Sequence, residues 1–193
     1  MKFSRRLIVA FTVFVSLGLG GCASEHMVDV AVPQVIAAKD PNTATMVFFR
    51  SSFFGGAIQS SVYDVSKGEA SFIGILSAGK KIAYAAPPGK QRYMVVSESA
   101  DFMDADTLPG KTYYVRVRPR LGVWRARFSM RPIPVSDAGL KEEVGSCQWV
   151  ENTPASLAWA QGKTSTVAAR QAKYLAKWLK SDNNESVRPG DGE

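Results

Sequence analysis

Residues 112–130 read TYYVRVRPRLGVWRARFSM. In the first half Tyr113, Val115 and Val117 alternate with Arg116, Arg118 and Arg120. In the second half Trp124, Ala126, Phe128 and Met130 alternate with Arg125, Arg127 and Arg131. Successive side chains of a strand point to opposite faces, so this period of two predicts a pair of strands. One face is apolar and lies on a core. The other is basic and faces water. Leu121-Gly122 between them marks a turn.

The same punctuation runs upstream. Candidate strands are Thr45–Arg50, Ala57–Val65, Ser71–Leu76, Lys81–Ala85 and Arg92–Glu98, joining Thr112–Arg120 and Val123–Met130. They are separated by Gly55-Gly56, by Ser66 to Gly68, by Gly79, by Pro87 to Gly89 and by Pro109-Gly110. Pro-Gly suits the central places of a type II turn, because proline presets one torsion and glycine accepts a positive one. Thr45–Arg50 is apolar on both faces, with Met46 and Phe48 opposite Val47 and Phe49, which predicts a central, covered strand. Seven short strands with regular turn signals predict a mainly β fold, a seven-stranded antiparallel β-sandwich over residues 43–135.

Composition changes after Pro134. A helical turn is expected within Ser136–Val144, and a helix opening at Thr153-Pro154 runs to about Gln161. A stronger helix spans Thr164–Ser181, with Ala168, Ala172, Leu175, Trp178 and Leu179 on one stripe and Arg170, Lys173, Lys177 and Lys180 off it. Residues 136–181 are therefore expected as an amphipathic helical extension packed on the sandwich. Residues 182–193, polar with Gly and Pro, are expected to be disordered.

The amino-terminal end has its own pattern. Met1 to Arg6 carries three cations and no acid, and Leu7 to Leu19 is a mainly apolar run. That run is short for a membrane span and suits a secretory signal peptide. Leu19-Gly20-Gly21-Cys22 follows, and it resembles the lipobox of bacterial lipoproteins. The resemblance implies removal of residues 1–21, lipid on Cys22, and a tether over 22–42 in which a short strand at Met27–Val32 is possible. Several acyl chains hold firmly where one holds marginally. Ala23 stands where Asp would favour the inner membrane of well-studied Gram-negative systems, which implies an outer-membrane location.

Three further segments resemble a family of bacterial lipoproteins built on a domain of unknown function. They are Met46-Val-Phe-Phe-Arg-Ser-Ser-Phe-Phe-Gly-Gly56, Ala86-Pro-Pro-Gly-Lys90 and Pro109-Gly-Lys-Thr-Tyr-Tyr-Val115. The resemblance covers roughly residues 42–135 and leaves the helical end unaccounted for. It implies a transthyretin-like or carbohydrate-binding-like β-sandwich on a lipid anchor. It implies no reaction and assigns no functional residue.

Little catalytic chemistry is legible. His26 is the sole histidine, so a Ser-His-Asp arrangement would need a base from the tether. Zinc sites built on several His and Cys ligands fail for the same reason. No glycine-rich phosphate loop and no nucleophile elbow occurs. Asp101, Asp104 and Asp106 form an acidic cluster that reads as a loop; oxygen-rich loops can hold calcium, but this one lacks the glycine and terminal glutamate of the known loop. Glu98 with Asp101 offers two carboxylates for glycoside cleavage, against the alternative of solvated strand-end acids. With Cys22 lipidated, Cys147 has no intramolecular disulfide partner and reads as a buried small residue. No catalytic residue, metal or cofactor is expected.

Removing Lys2, Arg5 and Arg6 from the 24 Lys and Arg residues leaves 21 against 17 acids. Such a mild excess argues against nucleic-acid binding. The expectation is an envelope lipoprotein, held to the membrane by its lipid, acting as a non-enzymatic interaction or structural module for an envelope protein partner. No small-molecule substrate is indicated. The alternative is a module binding glycan or anionic lipid through Arg116, Arg118, Arg120, Arg125 and Arg127, with Trp124, Trp149 or Trp159 as aromatic contacts.

Overall fold

The computed structural model describes residues 26–38, 40–54, 58–120, 127–182 and 184–193. Cys22, Gly55, Gly56, Trp124 and Arg125 lie outside them. Eleven strands build two sheets among the described residues. They are β1 (Met27–Val30), β2 (Ala44–Arg50), β3 (Ser60–Asp64), β4 (Ser71–Leu76), β5 (Lys80–Ala86), β6 (Gly89–Val96), β7 (Ala100–Thr107), β8 (Thr112–Arg120), β9 (Arg127–Ile133), β10 (Gln148–Asn152) and β11 (Ser186–Val187). The helices are α1 (Gln34–Ala38), α2 (Leu140–Gly145), α3 (Pro154–Gln161) and α4 (Thr164–Trp178). No described helix is long and apolar enough to cross a membrane.

The six-stranded sheet runs β1-β10-β5-β2-β8-β9 and the five-stranded sheet β11-β7-β6-β3-β4. β2 lies between β5 and β8, and from Met46 to Arg50 every residue is buried, as its two apolar faces require. Met46, Phe48, Tyr113, Val115 and Val117 meet Val62, Tyr93, Val95 and Met103 in one core, so the sheets pack face to face. Hydrophobic burial between two half-apolar faces stabilises such a pair.

Two corrections concern the sheets. The strands number eleven, not seven, and the sheets are mixed, not antiparallel. β2 pairs with β8, β10 with β5 and β11 with β7 in parallel. β7 was read as an acidic loop because aspartate is uncommon in strands. Its period of two is nonetheless regular: Met103 and Ala105 face the core between the sheets, while Ala100 and Phe102 face outward beneath α4. β10 and β11 are too short to show a period.

Both ends of the described region are built into the sheets. The expected tether carries β1, which pairs with β10, and α1. The expected disordered tail carries β11 and a 3-10 turn at Pro189–Asp191, with Val187 buried in the main core. There Thr112 and Glu193 exchange two backbone hydrogen bonds of 2.8 and 3.1 Å. Gly192 lies against the Tyr113 ring, where any β-carbon would come within 2.7 Å of it. A polar composition hid these contacts, because they use backbone groups and one valine.

Helices cover both outer faces. α2 brings Leu140 onto Phe49, Ile133 and Cys147. α4 lays Val167, Tyr174, Leu175 and Trp178 over Tyr63, Val65, Met94 and Phe102 of the five-stranded sheet. α3 begins as Thr153-Pro154 predicts, with Ser156 N–H donating to Thr153 Oγ1 at 3.2 Å and the reciprocal bond from Thr153 N–H to Ser156 Oγ at 3.0 Å.

Candidate functional site

The expected arginine ribbon is divided by what packs on it. Arg116 is taken by α2: its Nε donates to Glu143 Oε2 at 2.7 Å, and its side chain is largely covered. Arg118 reaches the Ser129 hydroxyl at 3.4 Å. Arg120 stands at the open end of β8, 60 % exposed, with Nη1 3.9 Å from Asp101 Oδ2. Arg127 faces it across the register and is exposed. Arg125 lies outside the described residues.

Arg120 and Arg127 therefore meet partners from elsewhere in the chain. Together with Lys177, Tyr174 and Trp178 of α4 and Asp101 of β7 they line a cleft of about 290 Å³. Trp178 is fixed there by Phe102, ring centroids 5.9 Å apart, and by the Arg92 guanidinium 5.0 Å from its ring. Burial raises the Asp101 carboxyl above the usual aspartate range, while the Phe102 amide and Arg120 act the other way. With three cations against one acid, the cleft is chemically suited to an anion. Pairing of the arginine face with Asp101 is the plainer alternative to ligand binding and is met by Arg120, whereas nothing in the sequence groups Lys177 of α4 with them.

The other candidates disperse. Asp104 forms a forked ion pair with Arg92, Nε to Oδ1 2.6 Å and Nη2 to Oδ2 3.0 Å. Asp104 and Asp106 share the outward face of β7, whereas Asp101 turns towards Arg120. Among the described residues no three His, Cys, Asp or Glu side chains gather as they would around a metal ion. Glu98 lines a different cavity, of about 280 Å³, with Trp159, Lys163 and Arg170, so it does not converge with Asp101 there.

His26 serves through its backbone, its carbonyl accepting from Thr153 Oγ1 at 2.5 Å. Cys147 is buried, its thiol pushed up by burial and donating to the Glu143 carbonyl at 3.4 Å. Beside it Lys81 donates to the Val144 carbonyl at 2.6 Å and lies 4.6 Å from the Trp149 ring. Burial lowers the Lys81 pKa. Trp149 and Trp159 are half-buried, the latter 6.1 Å from the Phe72 ring, and Trp124 is outside the described residues. A scan against protein-family models and a search of curated proteins both find no match to the chain.

Proposed function

We propose that the chain is a lipid-anchored lipoprotein of the bacterial envelope, placed in the outer membrane, whose β-rich body is a non-enzymatic interaction module. The observation that carries this reading is Leu19-Gly20-Gly21-Cys22 directly after a basic start and an apolar run. Strand pairing begins at Met27, so the body follows the proposed anchor within a few residues. The resemblance of residues 42–135 to a lipoprotein domain with a transthyretin-like or carbohydrate-binding-like sandwich belongs to the same reading.

Mass spectrometry of the mature amino terminus from a membrane fraction tests it. The expected species begins at Cys22 and carries the mass of its acyl chains. An intact residue 1–21 segment, or an unmodified Cys22 thiol, would overturn it. Crosslinking in cells should then recover the same envelope protein reproducibly.

A second reading is favoured by the cleft of Arg120, Arg127 and Lys177: the body binds an anionic group, of a glycan or a lipid. Binding of anionic glycans or lipids on arrays should fall in R120S/R127S. Unchanged binding in that variant removes this reading and leaves the first intact.

A further inference from the structure

We propose that the side of the body formed by α3 and α4 lies on an anionic phospholipid surface. Resting on the Cys22 anchor, this assigns which side of the fold meets the bilayer. Reach comes first. His26 is tied by its carbonyl to Thr153, the residue that caps α3. Four residue steps separate Cys22 from His26, so their Cα atoms lie within about 14 Å even at full extension. The start of α3 therefore stays close to the bilayer boundary.

Charge then chooses the side. From Pro154 to Ser181 there are five cations and no acid: Lys163, Arg170, Lys173, Lys177 and Lys180. At 3.6 residues per turn these fall within an arc of about 100° along one flank of α4. The acids near the anchor point, Asp29 and Glu151, lie in β1 and β10 at the edge of the six-stranded sheet, whereas α4 packs on the five-stranded one. Asp29 is held there by Lys80 at 2.7 Å, and Glu151 accepts the Gln34 N–H. An anionic surface would repel that side and attract the helical one.

The outward side of α4 completes the pattern. Its buried stripe is spent on the sheet, and the exposed strip beside the cations is uncharged: Ser165, Ala168, Ala169, Ala172 and Ala176. Leu157 of α3 and Leu179 at the end of α4 are 48 % and 55 % exposed. An apolar groove of about 760 Å³, walled by Phe72, Leu157 and Leu175 and with the exposed Glu69 also in its lining, opens beside α4. An uncharged outer side flanked by lysines suits the headgroup boundary, where the alkyl stems lie flat and the ammonium groups reach phosphate.

The full lipidated protein tests this with a single environment-sensitive fluorophore at A172C, Cys147 being buried. A second preparation carries the label at V32C on the α1 side. Each is reconstituted in vesicles of phosphatidylcholine alone and of phosphatidylcholine with phosphatidylglycerol. Position 172 should be protected several-fold from an aqueous quencher only in the anionic vesicles, and high salt should reverse it. Position 32 should not change. Replacing the five cations by glutamine should abolish protection while the protein stays vesicle-bound. Equal quenching at 172 in both lipids, with Cys22 lipidated by mass spectrometry, overturns the proposal and leaves the anchor standing. An unmodified Cys22 overturns both. Protection that appears without anionic lipid and grows with protein density would mean a second copy on this face, and would also overturn it.

Discussion

Arg50 ends a strand of apolar residues, fully buried, and the charge is not wasted. Its Nη1 donates to the Ile58 carbonyl at 2.6 Å, its Nη2 to the Phe54 carbonyl at 3.1 Å, and its guanidinium lies 4.7 Å from the Phe128 ring. One side chain thus ties the loop after β2 to β9. R50M keeps the volume and loses the donors, leaving two carbonyls unpaired, and should cost about 3 kcal/mol in urea unfolding. Asp101 bears the opposite lesson, being an acid whose burial is only partly offset by Arg120. Its folded pKa lies above the unfolded one, so folding favours the protonated form. Stability from this group is fully present below the unfolded pKa, near 4, and is lost as pH rises through the folded value. D101N should remove that acid-side gain, measured as a flatter stability profile as pH rises from below the unfolded aspartate value. A wild-type slope retained in D101N would place the effect elsewhere.

At the scale of elements, β8 and β2 were legible because their side chains alternate or fill both faces over whole strands. β7 was not, since three aspartates outweigh Phe102, Met103 and Ala105 in any propensity reading. The hidden compensation is tertiary: Arg92 of the neighbouring β6 and Arg120 of the facing sheet each pair with one of those carboxylates. β11 shows the same limit more sharply. Two residues pair with β7 and place Val187, 1 % exposed, in the main core. V187A should destabilise the protein by about 2 kcal/mol, read from the urea midpoint. The same change in a disordered tail would cost nothing. α4 was legible as amphipathic, and the structure adds which residues its stripe covers. T153A should cost about 1 kcal/mol through loss of the α3 cap alone, and more if the bond to His26 also matters for holding β1.

For the whole molecule, the segments at both ends of the described region lie on the edges of the two sheets. β1 sits on the edge of one and β11 on the edge of the other, so residues expected as tether and tail belong to the folded body. Limited proteolysis of the folded protein should therefore spare residues 27–38 and 186–193, as checked by the masses of the fragments. Early cleavage within either stretch would contradict the pairing of β1 and β11. The sequence by itself determined what repeats along the chain: half-apolar strands, turn residues between them, a capped helix, and the expectation of an anchor at Cys22. These are local because alternation, torsional freedom and capping each involve residues a few places apart. Tertiary structure alone decided that the strands form two mixed sheets, that Glu143 closes over Arg116, and that Lys177 joins Arg120 and Asp101 in one cleft. Those pairings span tens of residues, and their free energy exists only once distant backbone edges and charges have been brought together.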